Sequence, residues 1–197
     1  MWPVKDTMPS LWTRTLSRLR SSTQKFAYEP ALRAELFSAE QMANHGHELA
    51  KQHQLSPRSA SGALLTRLDD NEALLARSCA MLSEVPMATR RATPAAEWLL
   101  DNFYLIEEQI RTARKHLPKG YSRELPRLAN GPSSGLPRVY DIALETISHG
   151  DGRVDSESLS RFVVAYQSVM PLTLGELWAI PIMLRLALIE NLRRVAS

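Results

Sequence analysis

The tightest limit on the folds open to this chain is the spacing of its apolar side chains, which recur at three- and four-residue steps through every long segment. On a helix of 3.6 residues per turn that spacing makes one continuous stripe. No segment alternates as a half-buried strand does. The chain therefore reads as all α, an irregular bundle of about six helices.

Residues 30–53 form the first predicted helix, with Leu32, Leu36, Ala39, Ala43 and Ala50 on one stripe, widened by Phe37, Met42 and Leu49. Pro30 suits a first turn. The run LSPRSASG (55–62) is a loop by composition. Leu64, Leu65, Leu68, Leu75 and Leu82 then mark a helix over 63–85, ended by Pro86. At the third helix Thr93 can cap, Pro94 fills the first turn and Glu97 meets the positive end of the dipole. Its buried face is predicted at Trp98, Leu105 and Ile106, shared with Asn102 and Gln109 and flanked by Leu99, Phe103 and Ile110.

Four prolines and three glycines within 118–137 preclude a regular helix there. Tyr121, Leu125 and Leu128 nonetheless predict an ordered connector packed on the helices. Three helices follow: 138–149, 156–169, and one from Thr173 to the end, opened by a T-x-x-E capping box with Glu176. Pro181 should kink the last of them.

The basic pI of 9.2 suggests nucleic acid until the charge is located. Lys5, Arg14, Arg18, Arg20 and Lys25 stand against Asp6 alone, giving residues 1–25 a net charge of +4, while the rest carries a net −1. A near-neutral body is a poor nucleic-acid surface, and no such partner is expected. Residues 1–25 read as a basic flexible arm and 26–197 as a single helical domain. Within the arm, residues 11–20 place Leu11, Trp12, Leu16 and Leu19 beside arginines, a weak foothold for an anionic membrane surface. No signal peptide is visible, and the most apolar run, 177–189, contains Pro181 and Arg185 and falls short of a span.

Catalytic patterns are wanting. The single cysteine, Cys79, lies among leucines at helical spacing and reads as a buried structural thiol. His45 and His47 point to different faces of a helix, no HExxH occurs, and neither a metal nor a cofactor is expected. Asp151, Asp155 and Glu157 lack the order of a calcium loop and read as a turn leading into a helix cap. Glu107 and Glu108 point about 100° apart on one helix, a poor scaffold for a paired acid and base. No phosphate-binding glycine loop or nucleophile elbow is present.

More distinctive are polar residues inside apolar stretches, among them Asp101, Asn102, Glu176 and Asn191. Charges in such places usually pair, because an unpaired buried charge costs several kcal/mol. Glu107, Glu108, Arg123, Glu124, Arg138, Arg161, Arg185 and Glu190 are the candidates for a structural ion-pair network. Arg123, Glu124 and Arg138 of the connector are expected to meet Glu107, Glu108 and Glu190.

Several strings resemble the N-terminal region of cyclic β-1,2-glucan synthases: TPAAEWLLDNFYLIEEQIR (93–111), LPKGYSRELPRLANGP (117–132), PRVYDIALETISHGDGRVD (137–155) and LSRFVVAYQSVMPLTLGELWAIPIMLRLALIENLRRVA (159–196). ALRAELFSAEQMANHGHELA (31–50) fits more loosely. The resemblance implies a bacterial inner-membrane machine that polymerises glucose from UDP-glucose and cyclises it. It also implies a cytoplasmic place at the membrane face, with the remainder of the synthase or its membrane domain as partner. The aspartates, catalytic base and Q-x-x-R-W-like motif of the transferase have no counterpart here, so the chain is expected to be non-catalytic and a truncated or split product. Two functions follow as expectations. One is a scaffold or docking domain. The other is a carbohydrate- or nucleotide-sugar-binding module using Trp98, Tyr104, Tyr121 and Trp178, which their core-like spacing disfavours.

Overall fold

The computed structural model describes residues 29–56, 63–84, 93–117 and 124–196. The arm, with its segment 11–20, as well as Tyr121 and Arg123, lie outside the described residues. Among the described residues six α-helices carry the fold: α1 (Ala39–Gln52), α2 (Ala63–Glu84), α3 (Pro94–His116), α4 (Arg138–His149), α5 (Ser156–Gln167) and α6 (Leu174–Val195). None of them is long and apolar enough to cross a membrane.

Helix starts follow capping chemistry. The Thr93 hydroxyl accepts from the Ala96 amide, the Asp155 carboxylate from the Ser158 amide and the Thr173 hydroxyl from the Glu176 amide, each satisfying a donor that has no partner inside its helix. The first helix starts later than its apolar stripe suggests. Ser38 and Gln41 form a full capping box, so α1 begins at Ala39 and residues 33–37 carry no regular structure. This segment is not idle. The Ala34 and Phe37 amides donate to the carbonyls of Ser148 and His149, which the end of α4 leaves without helical partners.

The buried stripe of α3 is Leu99, Phe103, Ile106, Ile110 and Ala113, turned about one residue from the predicted face. Trp98 and Leu105 point outward instead. Burying the predicted face would have desolvated two amides, Asn102 and Gln109, whereas the observed stripe has no polar member. Asn102 settles on the Trp98 carbonyl and Gln109 accepts from Arg185.

Two short strands modify the all-α reading without changing the class. β1 (Leu55–Ser56) pairs antiparallel with β2 (Arg127–Leu128), Leu55 opposite Leu128. The connector needs this because backbone amides beside a buried leucine must find acceptors. Ala129 donates to the Gln54 carbonyl, and the Asn130 side chain bonds both the Gln54 amide and the Gln52 carbonyl. Leu125 and Leu128 are buried.

Packing divides into two clusters that share α4. Leu68, Leu75, Ile110, Leu117, Ile147 and Met183 belong to the larger, built by α2, α3, α4 and α6. Met42, Ile142, Phe162 and Tyr166 belong to the smaller, where α1 packs on α5. Gly46 allows that approach, since a Cβ there would stand 2.6 Å from both the Phe162 ring and its carbonyl oxygen.

Candidate functional site

Glu190, on the last turns of α6, is 0% exposed and lies at the centre of an ionic lattice. Arg67 of α2 donates to both its oxygens, at 3.0 and 2.6 Å. Arg193 and Arg194 each donate from 2.8 Å, and the Asn71 amide from 2.9 Å. Glu29 closes the outside of the lattice by accepting from Arg67 and Arg193. Burial alone would raise the Glu190 carboxyl, but hydrogen bonds from Arg67, Arg193 and Arg194 hold it at about 2. The same site raises the Arg67 guanidinium above its ordinary value, Glu190 outweighing desolvation.

A second buried pair lies where α4 meets the start of α6. Arg138 donates Nε to Glu176 Oε1 at 2.6 Å and a terminal nitrogen to Oε2 at 2.8 Å, a fork on a carboxylate. It also donates to the Pro171 carbonyl at 2.7 Å. Glu176 Oε2 accepts from the Thr173 amide as well, so one carboxylate both caps α6 and ties it to α4.

The other candidates of the predicted network stand apart. Arg138 meets Glu176, not Glu107, Glu108 or Glu190. Arg161 pairs with Glu157 one turn away on an exposed face, and Arg185 takes Gln109. Glu108 and Glu124 are exposed. Glu107 is half-buried near Cys79, and burial raises its carboxyl, with Arg111 opposing and Glu72 reinforcing. Burial, then the Glu107 charge, raises the Cys79 thiol. Reading of the sequence missed Arg67, Asn71, Arg193 and Glu29. The Glu190-x-x-Arg193-Arg194 spacing, which sets both arginines one turn from the glutamate, was the available signal.

Beside the Glu190 lattice, the ends of α2 and α6 and the start of α3 enclose an apolar groove of about 770 Å³. Leu74, Met81, Leu82, Leu99, Leu192 and Val195 line it, with Trp98 at its rim. Met81 is 69% exposed and Trp98 52%. Three of the four aromatic side chains weighed as core or sugar platform are thus surface groups, since Tyr104 is 64% exposed and Trp178 75%, which corrects the core-like reading of their spacing; Tyr121 lies outside the described residues. Trp98 and Trp178 lie apart. Trp98 shares the groove with Leu192 and Val195, while Trp178 sits on the first turns of α6, at the other end of that helix.

No family model matches the chain. It is 34% identical over 170 residues, 86% of its length, to the cyclic beta-(1,2)-glucan synthase NdvB of Rhizobium meliloti (strain 1021). The matched part is 6% of that much longer protein. Over most of its length, then, this helical chain is similar to one small region of a cyclic β-(1,2)-glucan synthase.

Proposed function

We propose that the chain is a non-catalytic scaffold or docking piece of a cyclic β-(1,2)-glucan synthase, held against the remainder of the synthase at the cytoplasmic face of the inner membrane. The observation that carries the reading is the apolar groove between α2, α3 and α6, with Met81 and Trp98 presented to solvent beside it. Large apolar side chains around a concave surface are what a partner segment buries, and a buried aromatic anchor dominates such binding. The most deeply held carboxylates, Glu176 and Glu190, are each engaged by arginine guanidinium groups, which disfavours them as ligands for a donor sugar or its metal.

The test is co-expression with a synthase from which the matching region has been deleted. The chain should co-purify with it, and Met81→Asp combined with Trp98→Ala should cut recovery by about tenfold or more while leaving the melting curve in place. Equal recovery of the double variant would remove the groove from the account. Alone, the chain should release no UDP from UDP-glucose. Metal-dependent release abolished by one carboxylate substitution would make it an enzyme.

The exposed rings favour a second reading, a carbohydrate- or nucleotide-sugar-binding module. Quenching of tryptophan fluorescence by β-1,2-glucan, lost in Trp178→Ala, would select it over docking.

A further inference from the structure

The helix pair α1 and α4 brings together side chains that lie far apart in sequence. His45 projects from α1, while Glu145 and His149 sit one turn apart at the end of α4. His45 Nε2 is 2.8 Å from Glu145 Oε2, and His149 Nε2 is 3.4 Å from the same oxygen. One ligand atom from each of the three lies within 4.8 Å of the others. We propose that His45 Nε2, His149 Nε2 and the Glu145 carboxylate form a binding site for zinc or a similar divalent transition-metal ion.

The donor chemistry fits such an ion. Two imidazoles and a carboxylate are a common zinc set, and borderline metals prefer them where calcium or magnesium would take oxygen alone. A tetrahedral ion about 2.0–2.1 Å from each ligand atom sets those atoms about 3.4 Å apart, within reach of the distances here. All three side chains are half-buried, which leaves a fourth position for water.

The surroundings set His149 in the binding orientation, and at His45 the ion would replace the proton that Nε2 shares with Glu145 Oε2 at 2.8 Å. His149 Nδ1 is 2.7 Å from the Glu35 carbonyl, to which only an N–H can bond, so in the neutral ring Nε2 carries the lone pair and faces the carboxylate. Two electron-rich atoms then point at one another, an arrangement a cation between them would satisfy. An outer carbonyl on the second ring nitrogen is also the usual companion of a metal-bound histidine. Phe37 stacks on the His149 ring at 3.8 Å, and Phe162 lies parallel to His45 at 5.8 Å. The contact at Gly46 that seats α1 on Phe162 therefore also positions His45.

The proposal stands apart from the docking reading, since the groove lies among α2, α3 and α6. It is tested on untagged full-length protein, stripped with a chelator and titrated with Zn²⁺. About one equivalent should bind, as zinc's four-coordinate sites take a single ion. His45→Ala or Glu145→Gln should weaken binding by more than about 100-fold, beyond the usual effect of an outer partner. His47→Ala, on the same helix but outside the cluster, should leave binding intact. Absence of stoichiometric zinc in the wild type, or wild-type affinity in His45→Ala and Glu145→Gln, overturns the site. Should those variants fail to fold, wild-type protein loaded with Co²⁺ still decides. Paramagnetic broadening must reach the ring signals of His45 and His149 and spare His116, and any other pattern overturns the proposal.

Discussion

Removing the Glu190 side chain would leave Arg67, Arg193 and Arg194 with only the half-buried Glu29 at the edge of the lattice to oppose them, and the Asn71 amide without its acceptor. Glu190→Ala should accordingly cost about 3–5 kcal/mol in denaturant melts, the range for breaking a buried pair from one side. Exposed Glu157→Ala, which loses a partner on a solvated face, should cost under about 1 kcal/mol. Acid should reveal the same carboxylate. Its folded value of about 2 lies below the ordinary 4.5, so its stabilisation is complete above about pH 4.5 and drains away as pH falls toward 2. Urea midpoints between pH 7 and pH 3 should therefore fall less steeply in Glu190→Gln than in the wild type, and identical slopes would deny the carboxylate this part. Arg138 offers a parallel case. A lysine there keeps the charge but cannot make the two parallel bonds to Glu176, so Arg138→Lys should cost about 1.5–3 kcal/mol, read from the same melts.

Among the elements, Gly46 tests packing against propensity. In a solvated helix, alanine is about 1 kcal/mol better than glycine. Here the added methyl would meet Phe162 at 2.6 Å from its ring and its carbonyl, and the second contact is backbone that cannot swing aside. Gly46→Ala should destabilise by about 1–3 kcal/mol, and a raised melting temperature would mean the helices part easily. Helix starts at Thr93, Asp155 and Thr173 were legible because a cap is a local bargain between one side chain and an amide three residues on. The first start was misplaced since Leu32 and Leu36 kept the helical rhythm across a stretch that the Ser38 capping box excludes. On α3 the apolar spacing admitted two adjacent faces, and only the cost of burying Asn102 and Gln109 separates them.

At the scale of the whole molecule, what the sequence hid is what joins distant residues. Glu190 and Arg138 could be read as buried charges from their apolar neighbours, but Arg67 is 123 positions from Glu190 and nothing in either neighbourhood announces the other. His45 reads in the sequence against His47, two positions on, while the fold sets it against Glu145, 100 positions away. Such pairings emerge only once the helices are stacked. Deleting residues 190–197 would remove Glu190, Arg193 and Arg194 together. The truncated chain should lose its cooperative thermal transition by circular dichroism, whereas a sharp melt near the wild-type temperature would make the lattice incidental. Glu29 and Arg193 touch, the Leu32 amide bonds the Asn191 side chain at 2.8 Å, and Arg194 reaches the Pro30 carbonyl. Residues near 30 and near 193 are therefore neighbours in space. A longer polypeptide built around this fold would come in and go out by one doorway, so whatever adjoins it on either side would sit shoulder to shoulder, hung from a single edge like a pendant from its clasp.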